Sequence, residues 1–398
     1  MNKDSPIFKG IAIFVILSSL SFFMFRGTES IGKLMELAGI GVLVLFLLLN
    51  TIYFKIRINH PLYYKWPVIF IMCSVILSAF ACNYYYNQSF SISFYQVRSY
   101  YFYLFYFFLN TINFKREYIE KIFLYTCIAY SCVYLAQYLI YPTLITYAKI
   151  MAERGTVRIF MFGWQYAFIG FFLVFNKILK KFNIVHLGLV MLFMGVVFFL
   201  GSRQFVATVI LIAALVVLLR KKVKNRVLII VLSGIVGFSA FLYFNEVVQG
   251  MVEESEKDSE KGSDYVRFKS VAYYLDDFQP SVATRIIGNG EPNVRSAYGR
   301  KIFKLNMTRG YFLSDIGIFG MYVKHGALII IGIFVFAFRI IFSKTREDGK
   351  YLKDYIFIML MTMFTTLMEV GRSDGAVFLC LVFYLHERYK YSWKDEWN

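Results

Sequence analysis

Five cysteines are all that this 398-residue chain carries: Cys73, Cys82, Cys127, Cys132 and Cys380. Each lies in or at the end of an apolar run. None falls in the long polar stretch late in the chain, and no two have metal-ligand spacing. They read as small packing residues rather than disulfides or ligands. CxxC, HExxH, Walker A and DxD motifs are all missing, so nothing argues for a metal or an organic cofactor. Gly288-Asn289-Gly290 lacks the third glycine of a dinucleotide fingerprint and alone reads as a turn. The first apolar run, "IFKGIAIFVILSSLSFFMF", has no small-residue cleavage site and reads as a retained helix, not a signal peptide. No internal repeat supports an inverted-repeat transporter plan.

Polar surface is also scarce. The chain is 59% hydrophobic with a mean hydropathy of +0.57, a balance a soluble domain cannot clothe in water. Apolar runs near the roughly 20 residues that cross a bilayer recur throughout. Twelve spans are expected: 8–25, 34–54, 66–82, 93–110, 118–141, 159–176, 184–200, 204–219, 227–246, 326–342, 354–368 and 375–386. The expected fold is all-α and polytopic. Residues 1–246 hold spans one to nine, 247–325 form one large outer loop, and 326–398 hold the last three spans and a cytoplasmic C-terminus.

The net charge of +18 is scattered through short loops, which points to membrane orientation and not to nucleic acid. The termini and every second loop hold 23 Lys and Arg, against eight in the short loops of the other set. The positive-inside rule then places both termini in the cytoplasm. In the large loop, 253–264 is polar and of low complexity. Residues 264–278 read as an amphipathic helix, with Phe268, Val271, Ala272 and Leu275 on one face. Residues 308–326 read as a second surface helix that leaves Lys324 and His325 in or near water.

This topology leaves arginines on the outer side. Arg98, Arg158, Arg203 and Arg372 stand at outer span ends, and Arg267 and Arg309 join them from the large loop. Arginines at span ends commonly snorkel to headgroups. Arg203 is different, because it opens span 8 at the positive pole of a helix, where a cation calls for an anion beside it. Such an anion would meet the guanidinium and the free N–H groups of the first turn together, with Gly201 and Ser202 allowing close approach and capping. Several arginines converging on one cavity would suit a pyrophosphate. Acid–base candidates facing outward are Asp315, His325, Glu369 and Asp374, with Asp264, Asp276, Asp277 and Glu291 behind them. Arg372 sits between Glu369 and Asp374 in "MEVGRSDG". The other histidines, His60, His186 and His386, fall on the cytoplasmic side.

Several stretches together resemble the O-antigen polymerase and ligase superfamily, the Wzy-type polymerases. "GSRQ" at 201–204 is similar to that family's opening of a central span. "RFKSVAYYL" from Arg267, followed by "IIGNG", is similar to its arginine–helix–GxG pattern. "YFLSDIGIFGMYVKHGALIIIGIF" at 311–334 resembles the segment that follows, and "RGTVRIFMFGWQYAFIGFF" at 154–172 resembles an earlier arginine-bearing span. The likeness covers about 154–342. One departure is that Asn306 stands without the histidine that ligases pair with it.

The resemblance implies a C-type glycosyltransferase-like fold in a bacterial cytoplasmic membrane, with the active site on the outer face. It implies an enzyme that polymerises polyprenyl-pyrophosphate-linked oligosaccharide units, as both donor and acceptor, by inverting glycosyl transfer without a cofactor. Membrane lipids and a chain-length regulator protein would be its partners. Arg203, Arg267, Arg309, Asp315 and Glu369 would be catalytic, and Arg98, Arg158, Arg372 and His325 would bind substrate. A ligase delivering the glycan to another acceptor, or a lipid-linked sugar flippase, is the alternative.

Overall fold

The computed structural model describes residues 5–27, 29–58, 60–146, 148–153, 156–220, 249 and 265–390. The expected span 227–246, the polar stretch 253–264, Arg154 and the Lys221–Lys222 pair lie outside them. The described chain is mostly helical. Three helices are long and apolar enough to cross a membrane: Ile31–Phe54, Lys65–Tyr86 and Arg116–Leu139. Shorter apolar helices occupy Pro6–Ser19, Gln165–Ile178, Ile184–Phe199, Arg203–Leu219 and Ala327–Phe342.

In chain order the helices are α1 (Pro6–Ser19), α2 (Glu29–Leu49), α3 (Lys65–Tyr86), α4 (Phe90–Gln96), α5 (Leu104–Ile112) and α6 (Arg116–Leu139). Then come α7 (Gln165–Ile178), α8 (Ile184–Phe199) and α9 (Arg203–Leu219). The large loop contributes α10 (Val266–Asp276), α11 (Val282–Ile287), α12 (Ala297–Arg309) and α13 (Gly317–His325). The last are α14 (Ala327–Phe342), α15 (Lys350–Thr362), α16 (Met368–Gly371) and α17 (Ser373–Lys390). Local chemistry sets many ends. Ser89, Asn183 and Ser296 side chains accept from first-turn N–H groups, and Ser281 and Thr284 form a reciprocal capping box. Asn87, Asn113 and Gly310 close α3, α5 and α12 in the left-handed conformation.

The centre is α17. Every residue from Ser373 to Glu387 is buried, and α7 is nearly as enclosed. Helices that are apolar on all sides belong in such positions. Around α17 stand α1, α5, α6, α7 and a 3-10 segment, Arg98–Tyr103. α14 lies along α3, where Gly332 allows close approach: an added Cβ would come within 3.2 Å of the Pro67 carbonyl.

Four local expectations need correction. Residues 93–110 are not one span but α4, the 3-10 segment and α5, with a break at Val97. Residues 149–160 form an antiparallel hairpin, β1 (Lys149–Glu153) with β2 (Thr156–Phe160), pairing Met151 with Arg158, and α7 starts only at Gln165. On α10 the buried face is Ser270 and Tyr274, while Phe268 is exposed. The Tyr274 ring meets Phe278 and its hydroxyl donates to the Tyr311 carbonyl, while Val271 and Leu275 of the expected face pack half-buried against the same cluster and Ala272 is exposed. Residues 308–326 are not a surface helix. α13 is largely buried and ends in His325, which is wholly enclosed.

Candidate functional site

Gly163 precedes α7, and its backbone N–H donates to Asp374 Oδ2 at 2.7 Å. Gln165 donates to the same oxygen at 3.0 Å. Arg372 closes the group as a fork, Nε to Oδ1 at 3.0 Å and Nη2 to Oδ2 at 3.1 Å. Asp374 is 1% exposed, so this bidentate pair is largely withdrawn from water on its acidic side. The Arg372 guanidinium also lies over the Phe162 ring, 4.1 Å from its centroid.

A second cation–carboxylate pair sits alongside. Arg98 Nε meets Glu36 Oε2 at 2.9 Å and stacks on Tyr95. Glu36 is buried beside Ser373 and within electrostatic reach of Asp374. Ser373 in turn donates to the Ser19 carbonyl. Arg98 and Arg372, far apart in the chain, therefore reach one cluster through α2 and the start of α17.

Arg158 reaches the turn before Arg203 from another direction. Arg158, on β2, donates from Nε to the Leu200 carbonyl at 3.3 Å and lies over the Phe160 ring. Gly201 has φ +63°, and a Cβ added there would stand 2.9 Å from Arg158 Cγ. The turn that launches α9 at Arg203 is thus covered by the Arg158 side chain. Ser202 occupies the N-cap position, but its side chain makes no capping bond.

The two arginine groups adjoin. Trp164, next to Gly163, packs its ring 4.7 Å from Phe205 in the first turn of α9. On α6, Tyr130 lies within reach of the charges of Arg372 and Asp374, and Tyr134, one turn on, within reach of Arg158. Both phenolic hydroxyls are buried with no hydrogen-bond partner among the described residues. Buried polar atoms are rarely left so.

Asp315 is exposed and accepts from Ser314. Two residues on, Gly317 and Ile318 dock on the Met363 carbonyl, close to Thr365, which bonds Gln204. The segment that follows Asp315 and the second residue of α9 thus both contact the stretch 361–365. Glu369 lies on α16, and its side chain is outside the described residues. Arg267 and Arg309 form a separate pair, brought together where Val266 meets Gly310. Arg267 stacks on Tyr265, and Arg309 on Tyr273 and Tyr311.

His325 is the clearest correction. Expected near water, it is enclosed: Nε2 is 2.9 Å from Tyr100 Oη and Nδ1 2.9 Å from Ser78 Oγ. Glu291 Oε2 lies 3.6 Å from Nε2, and Glu291 is held by Lys324 at 2.8 Å. Burial pushes the imidazole below its usual range, so the ring is neutral near pH 7. Burial opposes ionisation of Glu291, but Lys324 and His325 outweigh it and hold the carboxyl down at about 2. Gly288-Asn289-Gly290 is the hinge of this cluster. A Cβ on Gly288 would meet the Lys324 carbonyl at 2.4 Å, and one on Gly290 would meet Cys82 at the same distance. Asn289 is fully buried, bonded to Tyr86, Gln279 and Val323. His325 is therefore held on both ring nitrogens and has no exposed surface in this structure. Tyr100, whose hydroxyl would stand 2.9 Å from a Cβ on Gly371, links it to the residue before Arg372.

Sequence reasoning missed Glu36, Tyr100, Tyr130, Tyr134, Gly163 and Gln165. Glu36 carried a usable signal, as the only carboxylate inside the expected 34–54 span, where a charge needs a partner. The tyrosines carried none among 31 in the chain. No cluster of three or more His, Cys, Asp or Glu side chains among the described residues is placed to hold a metal ion. No model of a known protein family matches the chain, and no curated protein matches it.

Proposed function

We propose that the chain is a polytopic membrane glycosyltransferase of twelve spans with cytoplasmic termini. It polymerises polyprenyl-pyrophosphate-linked oligosaccharides on the outer membrane face. The observation that carries this reading is the Arg158 side chain lying over the Gly201 turn that opens α9 at Arg203, with Arg372 and the unpartnered hydroxyls of Tyr130 and Tyr134 alongside. In the reaction an acceptor hydroxyl attacks the donor's anomeric carbon. The glycosidic C–O bond forms as the anomeric C–O bond to pyrophosphate breaks, and polyprenyl pyrophosphate departs with the electron pair. Fixed guanidinium groups and the α9 N-terminus stabilise that developing charge in place. The two tyrosine hydroxyls supply further donors to the same oxygens. Asp315, exposed near the start of α9, takes the acceptor proton. Arg98 and Arg372, already matched by Glu36 and Asp374, position this wall of the site. Arg267 and Arg309, flanked by tyrosines, bind the glycan where it leaves the membrane.

The test is direct. Purified protein is supplied with polyprenyl-pyrophosphate oligosaccharide, and products are resolved by size. A ladder of higher polymers is expected, lost in Arg203→Ala and reduced at least tenfold in Arg203→Lys, which keeps charge but not the bidentate fork. Transfer only to a different acceptor would make the protein a ligase. No turnover with any lipid-linked donor by folded protein, or wild-type turnover in both variants, overturns the reading.

A further inference from the structure

At the far end of α7 and α17 from the Arg372–Asp374 pair lies a cavity of about 380 Å³. α7 has 14 residues, so at about 1.5 Å rise per residue the two sites are roughly 20 Å apart. Four cations line the cavity, Arg116, Lys177, Lys180 and Lys181, with two carboxylates, Glu120 and Asp348. The carboxylates are already engaged. Asp348 pairs with Lys180, and Glu120 accepts from the Tyr389 hydroxyl at 2.6 Å. Arg116 meets Glu117 at 2.6 Å and stacks on Tyr389.

Lys177 and Lys181 make no ion pair with any described residue, and Lys177 is half-buried. His186, on the opposite wall, has a buried Nδ1 with no partner among the described residues. Membrane orientation explains why lysines gather at this end, and the α7 C-terminal dipole favours Lys177 there. Neither explains a cavity lined by two cations that no described carboxylate pairs. Leaving a cation half-buried without a counter-charge is costly.

We propose that this cavity is a binding site for a phosphate group, gripped by Lys177 and Lys181 with Arg116 and Lys180 at its edges. The phosphate is carried either by the headgroup of an anionic phospholipid or by a free phosphate ion, and the chemistry of capture is the same. The site is independent of the polymerase reading and stands or falls without it.

Full-length protein is reconstituted in phosphatidylglycerol or phosphatidylcholine vesicles, and retained lipid is measured by mass spectrometry after extraction. In parallel, inorganic phosphate binding in neutral detergent is followed by calorimetry. Each lysine near an anionic headgroup is worth about a factor of five, so Lys177→Gln with Lys181→Gln lowers binding about 30-fold. Lys181→Gln alone, at an exposed position that folding tolerates, lowers it about fivefold. Lys177→Arg with Lys181→Arg retains it. Lys344→Gln, which removes an exposed charge outside the cavity, leaves it unchanged. Selective retention of phosphatidylglycerol identifies a lipid source, and inorganic phosphate binding identifies a free one. The proposal is overturned if wild type binds neither, if the glutamine variants match wild type, or if Lys344→Gln loses as much.

Discussion

Asp374→Asn tests whether the cluster at the start of α17 is held by charge or merely by shape. The substitution is nearly isosteric, so packing is preserved. Asp374 accepts four hydrogen bonds, two from Arg372 and one each from Gly163 and Gln165. With its amide oxygen at the Oδ2 position, asparagine keeps three of them and turns an NH2 toward Arg372 Nε. Breaking a buried ion pair from one side costs about 3–5 kcal/mol. Arg372 is 24% exposed and regains some hydration, which lowers the expected loss to about 2–3 kcal/mol. Arg372→Gln should cost more, because it strands a carboxylate that is 1% exposed. The double variant should be less destabilised than the sum by about 2 kcal/mol, since neither lone charge remains. Reversible unfolding in mixed micelles measures all three, and turnover should fall with stability corrected for. Additivity within about 0.5 kcal/mol would refute the claim that this pair organises the site.

Gly201→Ala places a Cβ at φ +63° and 2.9 Å from Arg158 Cγ. It should cost about 1–2 kcal/mol in backbone strain and, by displacing Arg158, lower kcat/KM about tenfold in the ladder assay. Unchanged kinetics would separate Arg158 from the reaction. The Glu291 carboxyl is held down at about 2, below its usual value near 4.5, so its stabilisation is present above pH 4.5 and lost as pH falls toward 2. His325 shifts down as well, so the unfolded state takes up its proton first below pH 6.5, and stability falls in the same direction. Glu291→Gln should flatten the acid limb of a stability–pH curve between pH 4.5 and 2. An unchanged limb would show that the Glu291–Lys324 pair does not hold the loop.

Much of the helical pattern was legible because it depends on local quantities. Apolar run length and capping residues located α3, α6, α8, α9 and α14 to within a few residues. The sequence also marked Arg203 as the opening residue of a helix, which the Gly-Ser before it signals. It misjudged 149–160, where the alternation of a short hairpin is swamped by neighbouring apolar helices. It misjudged His325 because periodicity reports which residues are apolar, not whether a polar one has found partners. Ser78 and Tyr100 lie 247 and 225 residues from His325 along the chain, and no window reads them together with it.

By itself, then, the sequence determined the chemistry available: apolar helices, arginines near their ends, and fewer carboxylates than cations, 25 against 43. Only tertiary packing decided which cations meet. Arg158 covers the glycine turn before Arg203, Arg98 pairs with Glu36 beside Ser373 and Asp374, and the Arg267 end of α10 meets the Arg309 end of α12 at Gly310. The physical reason is that a buried charge must find its partner in space, and partner choice is set by helix packing that no linear spacing encodes.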